Sequence, residues 1–136
     1  MKKARVIVID DEPSVVDAVK MILSEAGYDA TAAFSGGDAL ERARGGKGFD
    51  VAIIDLKLPD MSGLAALGVI SEACPGIAAI LITAHETDQV RADAITAGFA
   101  AVLPKPFSPP TLLEVVDSVL SQRGTSLRLT TPERRA

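Results

Sequence analysis

The sequence has very little of the chemistry that supports disulfide bonds, metal clusters or membrane insertion. It contains one cysteine, Cys74, and one histidine, so an internal disulfide is impossible and no Cys/His cluster has transition-metal spacing. The longest apolar run, Ile77 to Ala84, is much shorter than the roughly 20 residues that cross a bilayer. The opening MKKARVIVIDDE meets acid before any signal-like apolar segment develops. We therefore expect a cytoplasmic protein without a membrane anchor.

An excess of positive charge is also missing. Fourteen lysines and arginines stand against 18 aspartates and glutamates, a net charge of -4, so we expect no direct binding of nucleic acid. A length of 136 residues with 48% hydrophobic residues is enough for one domain with a real core. We place this domain at residues 1–122. The polar remainder, 123–136, is expected to be a flexible tail or a linker.

What the sequence does contain is a regular alternation of β-branched runs and helical patterns. The strands are predicted at Arg5 to Ile9, Asp29 to Ala33, Val51 to Ile54, Ala79 to Thr83 and Ala101 to Leu103. Apolar residues three or four apart predict helices at Ser14 to Ala26, Asp38 to Arg44, Leu64 to before Pro75, Val90 to Ala97 and Pro110 to Gln122, with Gly124 after the last. Five strand–helix units predict an α/β fold, a doubly wound five-stranded parallel sheet with helices on both faces.

Ligands of such sheets bind at the carboxyl ends of the strands, and acidic residues stand there in this sequence. Asp10 and Asp11 follow the first predicted strand, and Asp55 ends the third. If these strands are neighbours, the carboxylates converge within roughly 5 Å and each pair repels by about 3 kcal/mol at an effective dielectric near 20. Mg²⁺ suits such an incomplete cage of oxygen ligands. For the first stretch alone, Asp11 and Glu12 could equally be residues that favour the start of the helix that Pro13 begins.

Two further strand ends carry reactive side chains. Thr83 ends the fourth strand and Lys105 follows the fifth. Taken singly, Asp55 could cap a loop and Lys105 could be an ordinary solvated lysine. Their coincidence with Asp10, Asp11 and Thr83 at four strand ends favours a single functional site.

The segments VIVIDDEPS, VAIIDLKLPDMSG, ILITAH and VLPKPF resemble the receiver domain of two-component response regulators, the CheY-like family. The resemblance covers about residues 4 to 122 with every motif in order. It implies a flavodoxin-like, three-layer sandwich with strand order 2-1-3-4-5. It also implies Mg²⁺-dependent transfer of a phosphoryl group from a sensor histidine kinase or histidine phosphotransfer protein. The resulting switch would act on an output domain or partner docking near helix 4, strand 5 and helix 5.

The resemblance further implies a role for each matching residue. Asp55 matches the phosphorylated residue, Thr83, Ala84 and Lys105 the groups that contact phosphate, and Asp10, Asp11, Asp55 and the Lys57 carbonyl the metal ligands. The Lys105–Pro106 bond is expected to be cis. Lys57 and His85 occupy positions that tune phosphate lifetime in the family, and the side chains at these positions are often simply solvated. We expect slow self-dephosphorylation.

One segment departs from the family pattern. Where relatives commonly read like GADDYLPKP, this chain reads GFAAVLPKP, so Val102 replaces the switch aromatic. We expect normal phosphorylation with a smaller or different rearrangement. Phe99 either packs in the core or contributes to an apolar docking surface.

Two other classes of protein fit the sequence less well. A phosphatase that forms an aspartyl phosphate usually needs a second acid two residues after the nucleophile, where Lys57 stands. A nucleotide- or flavin-binding module usually has a glycine-rich loop after the first strand, where DDEPS stands. We therefore expect a signalling phosphoacceptor that promotes only its own phosphorylation and dephosphorylation, either alone or as part of a longer regulator.

Overall fold

Strands and helices alternate strictly along the computed structural model, which describes residues 4–46 and 48–124. The strands are β1 (Arg5–Ile9), β2 (Asp29–Ala33), β3 (Val51–Asp55), β4 (Ala78–Thr83) and β5 (Ala101–Pro104). The helices are α1 (Pro13–Glu25), α2 (Gly36–Gly45), α3 (Gly63–Ala73), α4 (Asp88–Ala97) and α5 (Pro109–Gly124). The tail or linker expected over the last residues falls largely outside this range, since residues 125–136 are not described.

The five strands form one parallel sheet in the order β2-β1-β3-β4-β5, which confirms the predicted fold class and the order implied by the resemblance. The register pairs Ile9 with Ile54 and Thr83 with Pro104. Strand ends are thereby brought to a common edge. The order reverses between β1 and β3, and this reversal opens the crevice where ligands of doubly wound sheets bind.

Both faces of the sheet are covered, so its central strands are buried completely. In β1, Ile7 and Ile9 point into a core shared with α2, α3 and α4, whereas Val6 and Val8 point into one shared with α1 and α5. All four side chains are 0% exposed. Burying each of them contributes about 1.5–3 kcal/mol, which holds the end of β1 rigidly in place.

The element boundaries differ from the predicted ones mainly at helix ends. The start of α2 lies at Gly36, two residues before the predicted Asp38, although glycine is a poor helix former. Side chains supply the missing acceptors there: Ser35 Oγ accepts the Asp38 N–H at 3.0 Å, and a distant aspartate accepts two others. The prediction that Gly124 follows the last helix was wrong, because α5 includes it.

Among the described residues, none of the helices has both the length and the hydropathy needed to cross a membrane.

Candidate functional site

Three carboxylates meet at the edge of the sheet between β1 and β3. Oxygen atoms of Asp10, Asp11 and Asp55 all lie within 4.8 Å of one another, as the sequence predicted for neighbouring strands. Asp10 is fully buried, Asp55 is nearly so and Asp11 is exposed. A group of hard oxygen donors that is open on one side fits Mg²⁺, which retains part of its water shell. The donor set therefore matches the metal predicted from the sequence.

Lys105 bridges the two buried carboxylates. Its Nζ lies 3.0 Å from Asp10 Oδ2 and 3.0 Å from Asp55 Oδ1. A third acid, Glu12, has its Oε1 3.8 Å away. The sequence did not predict this contact, because Glu12 was expected only at the start of a helix. The lysine offsets much of the repulsion between the carboxylates, because charges this close interact strongly away from bulk water.

Backbone donors hold the second oxygen of each buried carboxylate. Asp10 Oδ1 accepts the Glu12 N–H at 3.0 Å, and Asp55 Oδ2 accepts the Lys57 N–H at 3.3 Å. In each of these carboxylates, one oxygen accepts the backbone N–H two residues later in the chain and the other contacts Lys105 Nζ. The orientation of both groups is fixed by the turns at the strand ends.

Burial and charge act in opposite directions on the ionisation of this site. Burial raises the pKa of Asp55, and the neighbouring Asp10 charge adds to this, while Lys105 and the Lys57 N–H only partly offset it. Burial alone would lower the pKa of Lys105, but its hydrogen bonds to Asp10 and Asp55 raise it overall. Lys105 is therefore held as a cation against the carboxylates.

Thr83 reaches the same edge as the last residue of β4. It is 2% exposed, and its hydroxyl oxygen accepts the His85 N–H at 2.9 Å. Its carbonyl accepts the Lys105 N–H at 2.8 Å, which ties the segment after β5 to β4. The Lys105–Pro106 bond is cis, as the resemblance implied. Ala84 and His85, which follow Thr83 in the chain, are exposed.

The loop between β3 and α3 lies directly against the end of β3. Gly63 N donates to the Leu56 carbonyl at 2.7 Å, and a Cβ at Gly63 would lie 2.3 Å from the Asp55 carbonyl oxygen. Only glycine permits this approach. The side chain of Lys57 is exposed on the loop, two residues after Asp55.

The family's switch position lies away from this edge. Val102 is half-buried, pairs with Leu81 of β4 and packs against the core of the α2–α4 face. Phe99 is 6% exposed and belongs to the same core. Of its two predicted roles, packing in the core is therefore confirmed. On α4 the large apolar side chain left exposed is Ile95, at 67%.

A doubly wound sheet with an acidic cluster and a bridging lysine at its switch point is the arrangement of a CheY-like signalling domain. The family model described as "Response regulator receiver domain" matches residues 6–117. The chain belongs to this family. Neither the phosphatase nor the nucleotide- or flavin-binding alternative finds support in this match.

Relatives and solved structures agree with the family. The chain is 35% identical over 121 residues to the probable transcriptional regulatory protein TcrX of Mycobacterium tuberculosis, covering 89% of this chain and 51% of that protein. A CheY-like receiver domain protein from Methanospirillum hungatei superposes with a TM-score of 0.85 at 29% identity, covering 92% of this chain and 99% of that one. Vibrio cholerae CheY4 gives 0.82 at 28% identity, with 87% and 99% covered.

The chain spans about half or less of the curated relatives that it matches. It covers 51% of TcrX and 28% of the alginate biosynthesis transcriptional regulatory protein AlgB of Pseudomonas putida, to which it is 32% identical. These relatives are transcriptional regulators that extend beyond the region shared with this chain. The shared region is the receiver domain.

Proposed function

We propose that this domain accepts a phosphoryl group on Asp55 from a sensor histidine kinase or histidine phosphotransfer protein. The observation that carries the proposal is the shared bridge in which Lys105 contacts Asp10 and Asp55 at 3.0 Å each, beside the exposed Asp11. Membership of the receiver family supports the same chemistry. The domain is a signalling module, and we assign it no substrate turnover beyond its own phosphorylation and dephosphorylation.

In the proposed reaction a carboxylate oxygen of Asp55 attacks phosphorus while the bond from phosphorus to the donor nitrogen breaks. The electron pair of that bond returns to the donor, and Asp55 becomes an acyl phosphate. No general base is needed, since the Lys105 ammonium favours the ionised carboxylate. Asp10, Asp11, Asp55 and the Lys57 carbonyl would hold Mg²⁺, which would supply positive charge to the oxygens of the transferring group.

The remaining groups contact the transferred phosphoryl group. Lys105 moves one of its hydrogen bonds from carboxylate to phosphoryl oxygen, and the Thr83 hydroxyl and Ala84 N–H supply two more. Asp10, Asp11 and Asp55 together carry three negative charges, balanced by Mg²⁺ and Lys105. Phosphorylation replaces the Asp55 charge with about -2, which leaves the site near -1. This excess charge recruits Thr83 and moves the loop after β4.

The test is incubation with acetyl phosphate and Mg²⁺, followed by intact mass measurement. We expect a gain of one phosphoryl group that is lost on treatment with hydroxylamine, as for an acyl phosphate. Omission of Mg²⁺ with a chelator present is the control and should prevent the gain. A protein that stays unmodified under both conditions would contradict the proposal.

The output of the switch is proposed at the face formed by α4, β5 and α5. The relatives named above are transcriptional regulators, which supports an output domain in a longer protein; a stand-alone phosphorelay component is the alternative. With a net charge of -4, the chain itself is proposed to bind no nucleic acid.

Replacing Lys57 with alanine should accelerate loss of the phosphoryl group several-fold. The exposed Lys57 side chain lies on the loop between β3 and α3, two residues after Asp55, where it can lie over an acyl phosphate and restrict access of water. The measurement is the decay of phosphorylated protein after removal of the donor. Lys57→Arg, which keeps a long cationic side chain, is the control and should decay like the wild type. An unchanged rate in Lys57→Ala would remove this role; His85, the other tuning position, would then be tested in the same assay.

Because Val102 has no ring to swing inward, activation should perturb the α4–β5 region only weakly. We expect beryllium fluoride, an acyl-phosphate mimic, to shift backbone amide resonances around Asp55 and Thr83 and to change those of α4 little. Val102→Tyr, at this half-buried position, is the comparison and should spread the changes further. Shifts in the wild type as widespread as in receivers with an aromatic switch would contradict the expectation.

A further inference from the structure

Asp60 caps a helix that is distant in sequence. Its Oδ1 accepts the N–H of Gly36 at 2.9 Å and its Oδ2 accepts the N–H of Gly37 at 2.9 Å. These are the first two amides of α2, whose own cap, Ser35, satisfies only the third. A carboxylate at this place is favoured by two charge-assisted hydrogen bonds and by the helix dipole. The two hydrogen bonds lower the pKa of Asp60, so it is ionised when it makes them.

Asp60 stands at the tip of a small hairpin that begins at the phosphoacceptor. Lys57 and Ser62 pair as an antiparallel bridge, and Leu58 N donates to the Met61 carbonyl at 3.2 Å, which leaves Pro59 and Asp60 as the two tip residues. At the base of the hairpin, the Lys57 N–H donates a hydrogen bond to Asp55 Oδ2. Three residues, Leu56, Lys57 and Leu58, separate Asp55 from the tip.

The contact between the tip and α2 is close as well as polar. Gly36 is buried, and a Cβ there would lie 2.4 Å from Met61 Sδ. Asp60 itself is exposed, so hydrophobic burial does not hold its side chain in place. The two hydrogen bonds to Gly36 and Gly37 fix its position.

We propose that Asp60 is a positioning residue for the metal site: by capping α2 from the hairpin tip, it fixes the Lys57 carbonyl and couples Mg²⁺ binding to the start of α2. The inference rests on the proposed function, because it takes the acidic cluster to bind Mg²⁺. Without Asp60 the hairpin samples more conformations, and Mg²⁺ binding has to order it. Coupling between two sites is reciprocal, so Mg²⁺ also steadies the first turn of α2.

The test is calorimetric measurement of Mg²⁺ affinity. We expect Asp60→Ala to raise the Kd about fivefold or more, within the usual range of coupling between sites. Asp60→Asn keeps one acceptor oxygen, so its Kd for Mg²⁺ should lie between those of the wild type and Asp60→Ala. The matched control is Asp38→Ala: Asp38 lies in the same first turn and accepts the Phe34 N–H at 3.0 Å, so it supports α2 from within and should leave the Kd close to that of the wild type.

Two further readouts separate positioning from general loss of stability. In acetyl phosphate assays, Asp60→Ala should raise the Mg²⁺ concentration for half-maximal rate and leave the rate at saturating Mg²⁺ near that of the wild type. Hydrogen exchange at Gly36 and Gly37 should slow on adding Mg²⁺ to the wild type, and this response should vanish in Asp60→Ala. If that variant does not fold, Asp60→Asn provides the comparison.

Equal Kd values for Asp60→Ala and the wild type would overturn the inference alone. An equal loss of Mg²⁺ affinity in Asp38→Ala would also overturn it, because any weakening of α2 would then be enough to weaken Mg²⁺ binding. A wild-type protein that binds no Mg²⁺ would overturn the proposed metal site and this inference with it.

Discussion

Asp55→Asn should abolish the gain of a phosphoryl group from acetyl phosphate. The amide cannot act as the nucleophile at phosphorus, and Asp10, the other buried acid of the cluster, is fully buried and bound to Lys105. Asp11, the exposed acid of the cluster, is the matched control: Asp11→Asn should slow phosphorylation by weakening Mg²⁺ binding while retaining the site of modification. Intact mass and peptide mapping distinguish these outcomes. Phosphorylation of Asp55→Asn at the wild-type rate would contradict the assignment.

The stability of Asp55→Asn provides a check that its loss of activity is not a loss of fold. In the folded state burial raises the pKa of Asp55, so the folded protein binds that proton more tightly than the unfolded chain does. Asp55 therefore lowers the free energy of unfolding as the pH rises through its raised pKa, and at neutral pH its charge destabilises the fold. Asparagine removes this charge. We expect the variant to be at least as stable as the wild type at neutral pH without Mg²⁺.

The architecture and most of the site could be predicted from sequence because they depend on local patterns. The apolar run Val6 to Ile9 favours a central strand covered on both faces, and in a parallel sheet the residues that follow such strands lie at one edge. Asp10, Asp55 and Thr83 were placed on this basis. The neighbourhood of β1 and β3 followed from the family resemblance and not from spacing alone.

What could not be predicted depends on contacts between distant segments. The two hydrogen bonds from α2 to Asp60 join residues that are 23 and 24 positions apart in the sequence. Nothing in the pattern of LPDMSG shows which helix its acid would cap. The same contact explains why α2 starts at Gly36 against its propensity. The approach of Glu12 to Lys105 depends likewise on how the β5–α5 segment folds back. These errors share a cause, namely polar side chains that serve elements far away in the chain.

Lys105→Met should destabilise the Mg²⁺-free protein by about 2–3 kcal/mol, at or below the low end expected for breaking a buried ion pair because Lys105 retains some exposure. The lysine is the cation that contacts both buried acids, so its removal leaves Asp10 and Asp55 facing one another uncompensated. Lys105→Arg keeps the charge and is the control. Urea unfolding with and without Mg²⁺ measures the effect, and Mg²⁺ should restore more stability to Lys105→Met than to the wild type.

A second substitution separates loss of charge compensation from loss of packing. If repulsion between the acids causes the destabilisation, Lys105→Met should cost much less in an Asp55→Asn background, where one of the charges is already gone. The interaction energy of this double-mutant cycle should then be a large part of the destabilisation caused by Lys105→Met. If packing of the lysine stem dominates, the stability effects of the two substitutions will simply add.

Phosphorylation should fall about 100-fold or more in Lys105→Met even with saturating Mg²⁺, since the donor aimed at the transferred oxygens is lost. A variant that is phosphorylated at the wild-type rate would show that Lys105 serves only the resting site.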